Sequence, residues 1–303
     1  MLLSPLHLRH RLPQRVIVRS RAFSVSRVEP VRLASSHFPI SVPAGPVPPL
    51  VILHGLFGSK QNWQSLGRAM AQRLGCDVYA LDLRNHGESP HATPMTLEAM
   101  AQDVSYWLKE EGLSSIALLG HSMGGKVAMT MALNHPAAIE QLIVADMAPV
   151  AVPLSSTFAG YIRAMQHAEA QNPTSKRMAD QLLQADIPEL PIRQFLLTNY
   201  KPKQPQPGYT CRVPLDVLAT ALPNLGEFDA DQPGAVFPRP TLFIAGSRSD
   251  YIKPEYRPTI ARLFPRSLVE YIDAGHWVHS EKPTTFVQLV SDFYKSHSSP
   301  STP

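Results

Sequence analysis

The sequence predicts an α/β fold, a mostly parallel central sheet with helices on both faces and a helical insertion near the middle. Three observations lead there. Short apolar runs alternate with helical patterns from residue 50 to residue 145, the alternation stops across 150–236, and it resumes at residue 241. Apolar runs of strand length separated by helical patterns mark βαβ units and hence parallel pairing. The flanks then form one sheet, with the middle segment laid over it.

Each element follows in turn. Residues 40–49 hold four prolines and lead into a first strand, Leu50-Val51-Ile52-Leu53, which ends in His54-Gly55. Asn62 to Leu74 has helical spacing, Asp77 to Leu81 reads as a strand, and Leu97 to Leu108 as an amphipathic helix. Ser115 to Leu119 and Gln141 to Ala145 are buried strands on either side of a helix through Val127 to Leu133. Residues 150–236 are Pro-rich and helical or irregular, with no clear strand alternation. Thr241 to Ala245 and Leu268 to Ile272 restore the strands, and Thr284 to Tyr294 closes the chain with a helix. No internal repeat is visible.

Composition narrows the function classes. Of 303 residues, 44% are apolar and 17% charged, which is enough to bury a sizeable core and excludes wholesale disorder. Two cysteines, Cys76 and Cys211, make no disulfide framework and point to a reducing compartment. The net charge of +4 is unevenly spread, because residues 1–23 carry Arg9, Arg11, Arg15, Arg19 and Arg21 and no acid. Without those five, 23 basic residues face 24 acidic ones, a net of −1, so no nucleic-acid partner is expected. An Arg-rich, acid-free, amphipathic N-terminus reads as a mitochondrial transit peptide. Arg21-Ala22-Phe23-Ser24 places its cleavage near Phe23, and a matrix location follows.

Gly120-His121-Ser122-Met123-Gly124 sits between a buried strand and a helix. That is the setting of a nucleophile elbow, where a tight turn lifts a serine above the sheet and glycines relieve the crowding. Ser122 is the candidate nucleophile. The same stretch nearly spells a phosphate loop, Gly-x-x-x-x-Gly-Lys from Gly120 to Lys126, but Val127 stands where that motif needs Ser or Thr. A serine nucleophile needs a base, and the base an orienting acid. His276 is the base expected, in a loop after the last strand. For the acid, Asp146 and Asp250 each follow a strand, while Asp216 lies inside the insertion where a helix-capping role suits it. The oxyanion hole would use the backbone N–H groups of Leu56 and Met123. His54 and the turn Asp82 to Ser89 read as structural braces. No metal or cofactor is expected: His276 and His279 have ligand spacing, but no cysteine or paired carboxylate lies near them.

The blocks His54 to Lys60, Asp82 to His91, Gly120 to Lys126, Arg193 to Asn199 and Ala274 to Trp277 resemble the family of α/β-hydrolase domain-containing protein 11. They are similar also to its fungal relatives, mitochondrial hydrolases and yeast ethanol acetyltransferases. The resemblance spans roughly residues 48–296. It implies an α/β-hydrolase fold with a helical cap, mitochondrial residence and a Ser-Asp-His triad, and it favours Asp146 over Asp250 as the acid. The domains expected are a transit peptide (1–23), a linker (24–47), a core in two parts (48–149 and 237–297) and the cap (150–236). The activity it implies is acyl transfer from an ester or thioester to water. A second reading is transfer from acetyl-CoA to ethanol, and a third is association with a 2-oxo acid dehydrogenase complex.

Overall fold

The computed structural model describes residues 28–40, 47–152, 154 and 156–298; the expected transit peptide lies outside them. In chain order the first half comprises β1 (Ser35–Phe38), β2 (Leu50–Leu53), α1 (Gln64–Leu74), β3 (Val78–Leu81), α2 (Leu97–Glu110), β4 (Ile116–His121), α3 (Met123–Asn134) and β5 (Ile139–Ala145). Between β5 and the next sheet strand come α4 (Ser156–Ala170), α5 (Lys176–Leu183), α6 (Leu190–Leu197), β6 (Tyr200–Pro202), β7 (Tyr209–Cys211) and α7 (Leu215–Gly226). The chain then returns through β8 (Thr241–Gly246), α8 (Arg257–Leu263), β9 (Ser267–Ile272), α9 (Val278–Glu281) and α10 (Pro283–His297).

Seven strands form the central sheet in the order β1-β3-β2-β4-β5-β8-β9. All pair in parallel except β1, which runs antiparallel to β3. Strand period two divides the core between two faces. Val51, Leu118, Val144 and Phe243 point toward α2, α3 and α8, while Ile52, Leu119, Ile143 and Leu242 point toward α1 and α10. With both faces covered, β2, β4 and β8 are buried throughout and apolar but for His121 and Thr241 at their ends. Helix α3 is buried over its first ten residues, because it is caught between the sheet and the insertion.

Two features depart from the sequence reading. Residues 35–38, inside the expected linker, form the edge strand β1. Its neighbours are held by side chains from the core: Asp103 accepts from the Val31 N–H at 2.8 Å, and Ser89 from the Ala34 N–H at 2.8 Å. The insertion, expected to be helical or irregular, also carries the short hairpin of β6 and β7. Parallel pairing brings the carboxyl ends of β2, β4, β5, β8 and β9 to one edge of the sheet, where open α/β sheets bind ligands.

Candidate active site

Ser122 leaves β4 and enters α3 with φ 54° and ψ −117°, a conformation that L-residues adopt only under constraint. The glycines permit it. A Cβ on Gly120 would meet the Gly124 carbonyl oxygen at 2.2 Å, and one on Gly124 would meet the Leu53 carbonyl oxygen at 2.5 Å. β2 and α3 therefore approach at backbone distance, and Ser122 stands between them. Its Oγ–H donates to His276 Nε2 at 2.9 Å. On the far side of the ring, His276 Nδ1–H donates to Asp146 Oδ2 at 2.7 Å. The residues expected as nucleophile, base and acid thus form one hydrogen-bonded chain across three strand ends.

Asp146 is fully buried and also has a positive φ, 49°. The carboxylate takes the Gly246 N–H at 2.9 Å and the Ser249 hydroxyl besides the imidazole. A carboxylate facing Nδ1 keeps the proton on that nitrogen and leaves Nε2 to accept from Ser122. Asp250, the alternative acid, is not in the site: its side chain is 94% exposed and its partner is Lys253 Nζ at 3.6 Å. The loop after β8 turns Ser249 inward and Asp250 outward. Asp216 lies in the first turn of α7 and accepts from Gln166 Nε2 at 2.7 Å.

The backbone N–H groups of Leu56 and Met123 flank the elbow. Met123 opens α3, whose first N–H groups have no intrahelical partner and whose dipole favours negative charge there. Among the described residues, neither N–H donates to a protein acceptor. The loop carrying Leu56 is held from several sides. His86 Nε2 accepts from the Phe57 N–H at 3.2 Å, and Asn199 Nδ2 donates to the Phe57 carbonyl at 2.8 Å. His54 Nδ1 donates to the Gly55 carbonyl at 2.8 Å, while its Nε2 accepts from the Leu83 N–H at 3.0 Å.

The turn after β3 supports that loop with buried charge. Asp82 accepts from the Lys60 N–H at 2.7 Å, from Lys60 Nζ at 2.6 Å and from the Glu88 N–H at 2.8 Å. Arg84 and Asp103, both fully buried, form a two-pronged pair at 2.5 and 2.7 Å. Lys126 has a structural task as well. Its ammonium donates to the carbonyls of Leu225, Gly226 and Glu227 at 3.3, 2.5 and 3.2 Å, tying the end of α7 to α3. A lysine engaged in this way is not a phosphate ligand.

Burial sets the electrostatics. It pushes His86 and His279 down to about 3 and lowers His54 and His121 as well, so four imidazoles around the site are uncharged at neutral pH. His121 Nε2 donates to the His276 carbonyl at 3.0 Å and so positions the base. Tyr251 lies 4.2 Å from the His276 ring, its hydroxyl pushed up to about 12 by burial and then by the Asp146 charge. Sequence reasoning missed Ser249, His121, Asn199 and Tyr251, while His86 lies in the turn it read as a brace. Only Ser249 left a signal, as a hydroxyl in a polar turn at a strand end.

The cleft over Ser122 is walled by Leu56, Phe57, Phe158, Tyr161, Phe195 and Trp277, which combine the core loops with the insertion. Among the described residues, no lysine or arginine lines it. Such a cleft offers an apolar, uncharged wall around Ser122 and His276.

Comparison with known proteins agrees with this fold. Residues 48–283 match the alpha/beta hydrolase fold family. The sn-1-specific diacylglycerol lipase ABHD11 of Xenopus tropicalis is 45% identical over 258 residues, covering 84% of this chain and 80% of that protein. A probable alcohol acetyltransferase of Saccharomyces cerevisiae is 40% identical over 272 residues, covering 83% of this chain and 78% of that protein. Among solved structures, a marine microorganism esterase superposes with TM-score 0.77 at 34% identity, over 87% of this chain and 99% of that one. With the elbow, the sheet order and these relatives in hand, the chain belongs to the α/β hydrolases, in the family of α/β-hydrolase domain-containing protein 11.

Proposed function

We propose that the protein is a serine esterase that cleaves uncharged carboxylic esters, acylglycerols among them, through an acyl-enzyme on Ser122. The observation that carries this reading is the hydrogen-bonded chain Asp146–His276–Ser122 at the foot of an apolar cleft. His276 Nε2 takes the hydroxyl proton as Ser122 Oγ bonds to the carbonyl carbon. The oxygen of that carbonyl becomes an oxyanion and accepts from the Leu56 and Met123 N–H groups. His276 then passes its proton to the departing alkoxide, releasing the alcohol and leaving the acyl group on Ser122. Water repeats the cycle: it gives a proton to His276, attacks the acyl carbon and frees the acid while the proton returns to Ser122. The names of the lipase and esterase relatives support ester cleavage.

A second reading has an alcohol in place of water, with acetyl-CoA as the donor. The acetyltransferase relative favours it. The lining of the cleft favours esters over coenzyme A, whose phosphates would find no lysine or arginine among the described lining residues. A mitochondrial location remains a companion proposal, resting on the five arginines of residues 1–23. Amino-terminal sequencing of protein recovered from mitochondria tests it, and an uncut start at Met1 would overturn it.

The test of function uses the purified protein with short p-nitrophenyl esters, a diacylglycerol, and acetyl-CoA plus ethanol, with acid, free CoA and ethyl ester measured together. Ester hydrolysis by the wild type and its loss by several orders of magnitude in Ser122→Ala is the expected result. Unchanged hydrolysis by Ser122→Ala would end the esterase reading, and ethyl acetate as the main product would replace it with the transferase.

A further inference from the structure

The cleft over Ser122 does not end at the catalytic chain. A second apolar trough, of about 670 Å³, opens where the insertion meets the core, and the two cavities share Asn62, Phe195, Trp277 and His279. Leu66 of α1, Ile192 of α6, Phe195 and Trp277 give it a mainly apolar lining, and Glu189 and Glu281 also border it. Phe195 and Trp277 meet edge to face, 6.2 Å between centroids, at the passage. Trp277 follows His276 in the chain and lies 5.6 Å from its ring. Trp277, next to His276, lines the trough and Ser122 does not, so it meets the cleft on the side of the residue whose proton goes to the leaving oxygen.

One ring at the junction packs well but makes no hydrogen bond among the described residues. His279 is 8% exposed and lies flat on Trp63, 4.5 Å between centroids with 11° between planes. Nδ1 is sealed from solvent and, among the described residues, makes no hydrogen bond. Nε2 is left to face the cavities. Buried Nδ1 is one of the uncommon polar atoms without a partner and is out of a ligand's reach, whereas a ring that lines both cavities can offer its other nitrogen, Nε2, to a ligand oxygen. The imidazole is uncharged, since burial and then the neighbouring His276 push it down to about 3. It can pair with a hydroxyl or ether oxygen but holds no charge for an anion.

We infer that the trough is the alcohol-side arm of the substrate site, accepting an uncharged alkyl chain borne by the alcohol portion of the ester, with His279 hydrogen-bonding an oxygen at the junction. This rests on Ser122 as nucleophile. It makes Ile192 and His279 specificity-determining, and it predicts a preference for esters of chain-bearing alcohols over those of ethanol.

The experiment compares octyl acetate with ethyl acetate, and p-nitrophenyl octanoate with p-nitrophenyl acetate, in the wild type, Ile192→Trp and His279→Phe. A tryptophan at 192 narrows the trough at its α6 wall. Phenylalanine at 279 keeps the stacking on Trp63 and removes both nitrogens. In Ile192→Trp the octyl-to-ethyl ratio of kcat/KM falls by about tenfold or more, while the octanoate-to-acetate ratio holds. In His279→Phe, KM for octyl acetate rises by about threefold to tenfold, the effect of one lost hydrogen bond, while kcat holds. His279→Gln, which can still pair with an oxygen, recovers part of it.

A second readout is independent of catalysis. 1-Octanol binds Ser122→Ala, detected by tryptophan fluorescence, and Ile192→Trp in that background abolishes the binding. An unchanged octyl-to-ethyl ratio, or octanol binding indifferent to residue 192, overturns the proposal. A fall confined to the octanoate ratio assigns the trough to the acyl chain and also overturns it. Should Ser122→Ala keep wild-type hydrolysis, the esterase reading fails by itself, and octanol binding still decides the trough.

Discussion

Asp146 and His276 stand 130 residues apart in the chain and 2.7 Å apart in the fold, joined by a bond that fixes both the tautomer and the tilt of the imidazole. Asparagine tolerates the positive φ at 146, so Asp146→Asn keeps the backbone while removing the charge and offering Nδ1 the wrong partner. Loss of kcat by about three to four orders of magnitude is expected, as when the acid of such a chain is neutralised elsewhere. Asp250→Asn, at a solvent-facing position, should stay within about twofold, like other changes at exposed sites. Steady-state hydrolysis of a p-nitrophenyl ester by the two variants, each matched to wild type by circular dichroism, decides between them. A larger loss in Asp250→Asn would reverse the assignment.

The elbow depends on backbone contact, and the glycines test how closely. In Gly124→Ala the new methyl group would lie 2.5 and 2.6 Å from the carbonyl oxygens of Leu53 and His54. Neither can yield without moving the end of β2 and the loop that carries Leu56. We expect a stability loss of about 1–3 kcal/mol in urea unfolding, with activity reduced further than stability. Gly125→Ala meets the Val144 side chain at 3.1 Å, a milder contact that small shifts relieve, and should keep most of both. Equal behaviour of the two variants would show that the tight approach is not needed.

Much of this was legible in the sequence because the information was local. Ser122 sits in a five-residue motif bounded by a buried strand and a helix, and His276 follows the last sheet strand in a glycine-marked loop. The acid was not local. Asp146 and Asp250 both follow parallel strands, and what separates them is the direction in which each loop turns after its strand. The edge strand β1 was invisible because Ser-Ser-His-Phe buries only Phe38 on its face. β6 and β7 have three residues each, too few for a period to register. His86 was legible as part of the bracing turn Asp82 to Ser89, but the bond of His121 to the His276 carbonyl joins residues 155 apart, which no spacing rule contains.

Lys126 ties the insertion to the helix that follows the nucleophile. Replacing it with methionine preserves the stem and removes the ammonium that three backbone carbonyls at the end of α7 accept from. The Gly226 carbonyl keeps the Val152 N–H at 2.9 Å and Glu227 is exposed, so with about 1–3 kcal/mol for an unsatisfied buried acceptor, Lys126→Met should lose about 1–3 kcal/mol in urea unfolding. Limited proteolysis should become faster within residues 222–236, beyond the released helix end. Wild-type stability in Lys126→Met would mean that the three contacts contribute nothing net.

The buried histidines make the fold sensitive to acid. His86 and His279 are held down to about 3, chiefly by burial, against about 6.5 in an unfolded chain. Between those values the unfolded chain binds protons that the folded chain refuses, so stability rises with pH across that window and is lost as pH falls below about 6.5. Each such histidine contributes a slope approaching about 1.4 kcal/mol per pH unit, or about 2 kcal/mol between pH 7.5 and pH 5. His54 and His121, lowered by the same cause, add to the slope in the same direction. Urea unfolding at pH 7.5, 6 and 5 should show a steep decline, and His279→Phe should flatten it by nearly one proton's worth, since phenylalanine has nothing to protonate in either state. A pH-independent midpoint in the wild type would mean that these imidazoles take up protons in the folded state as readily as in water.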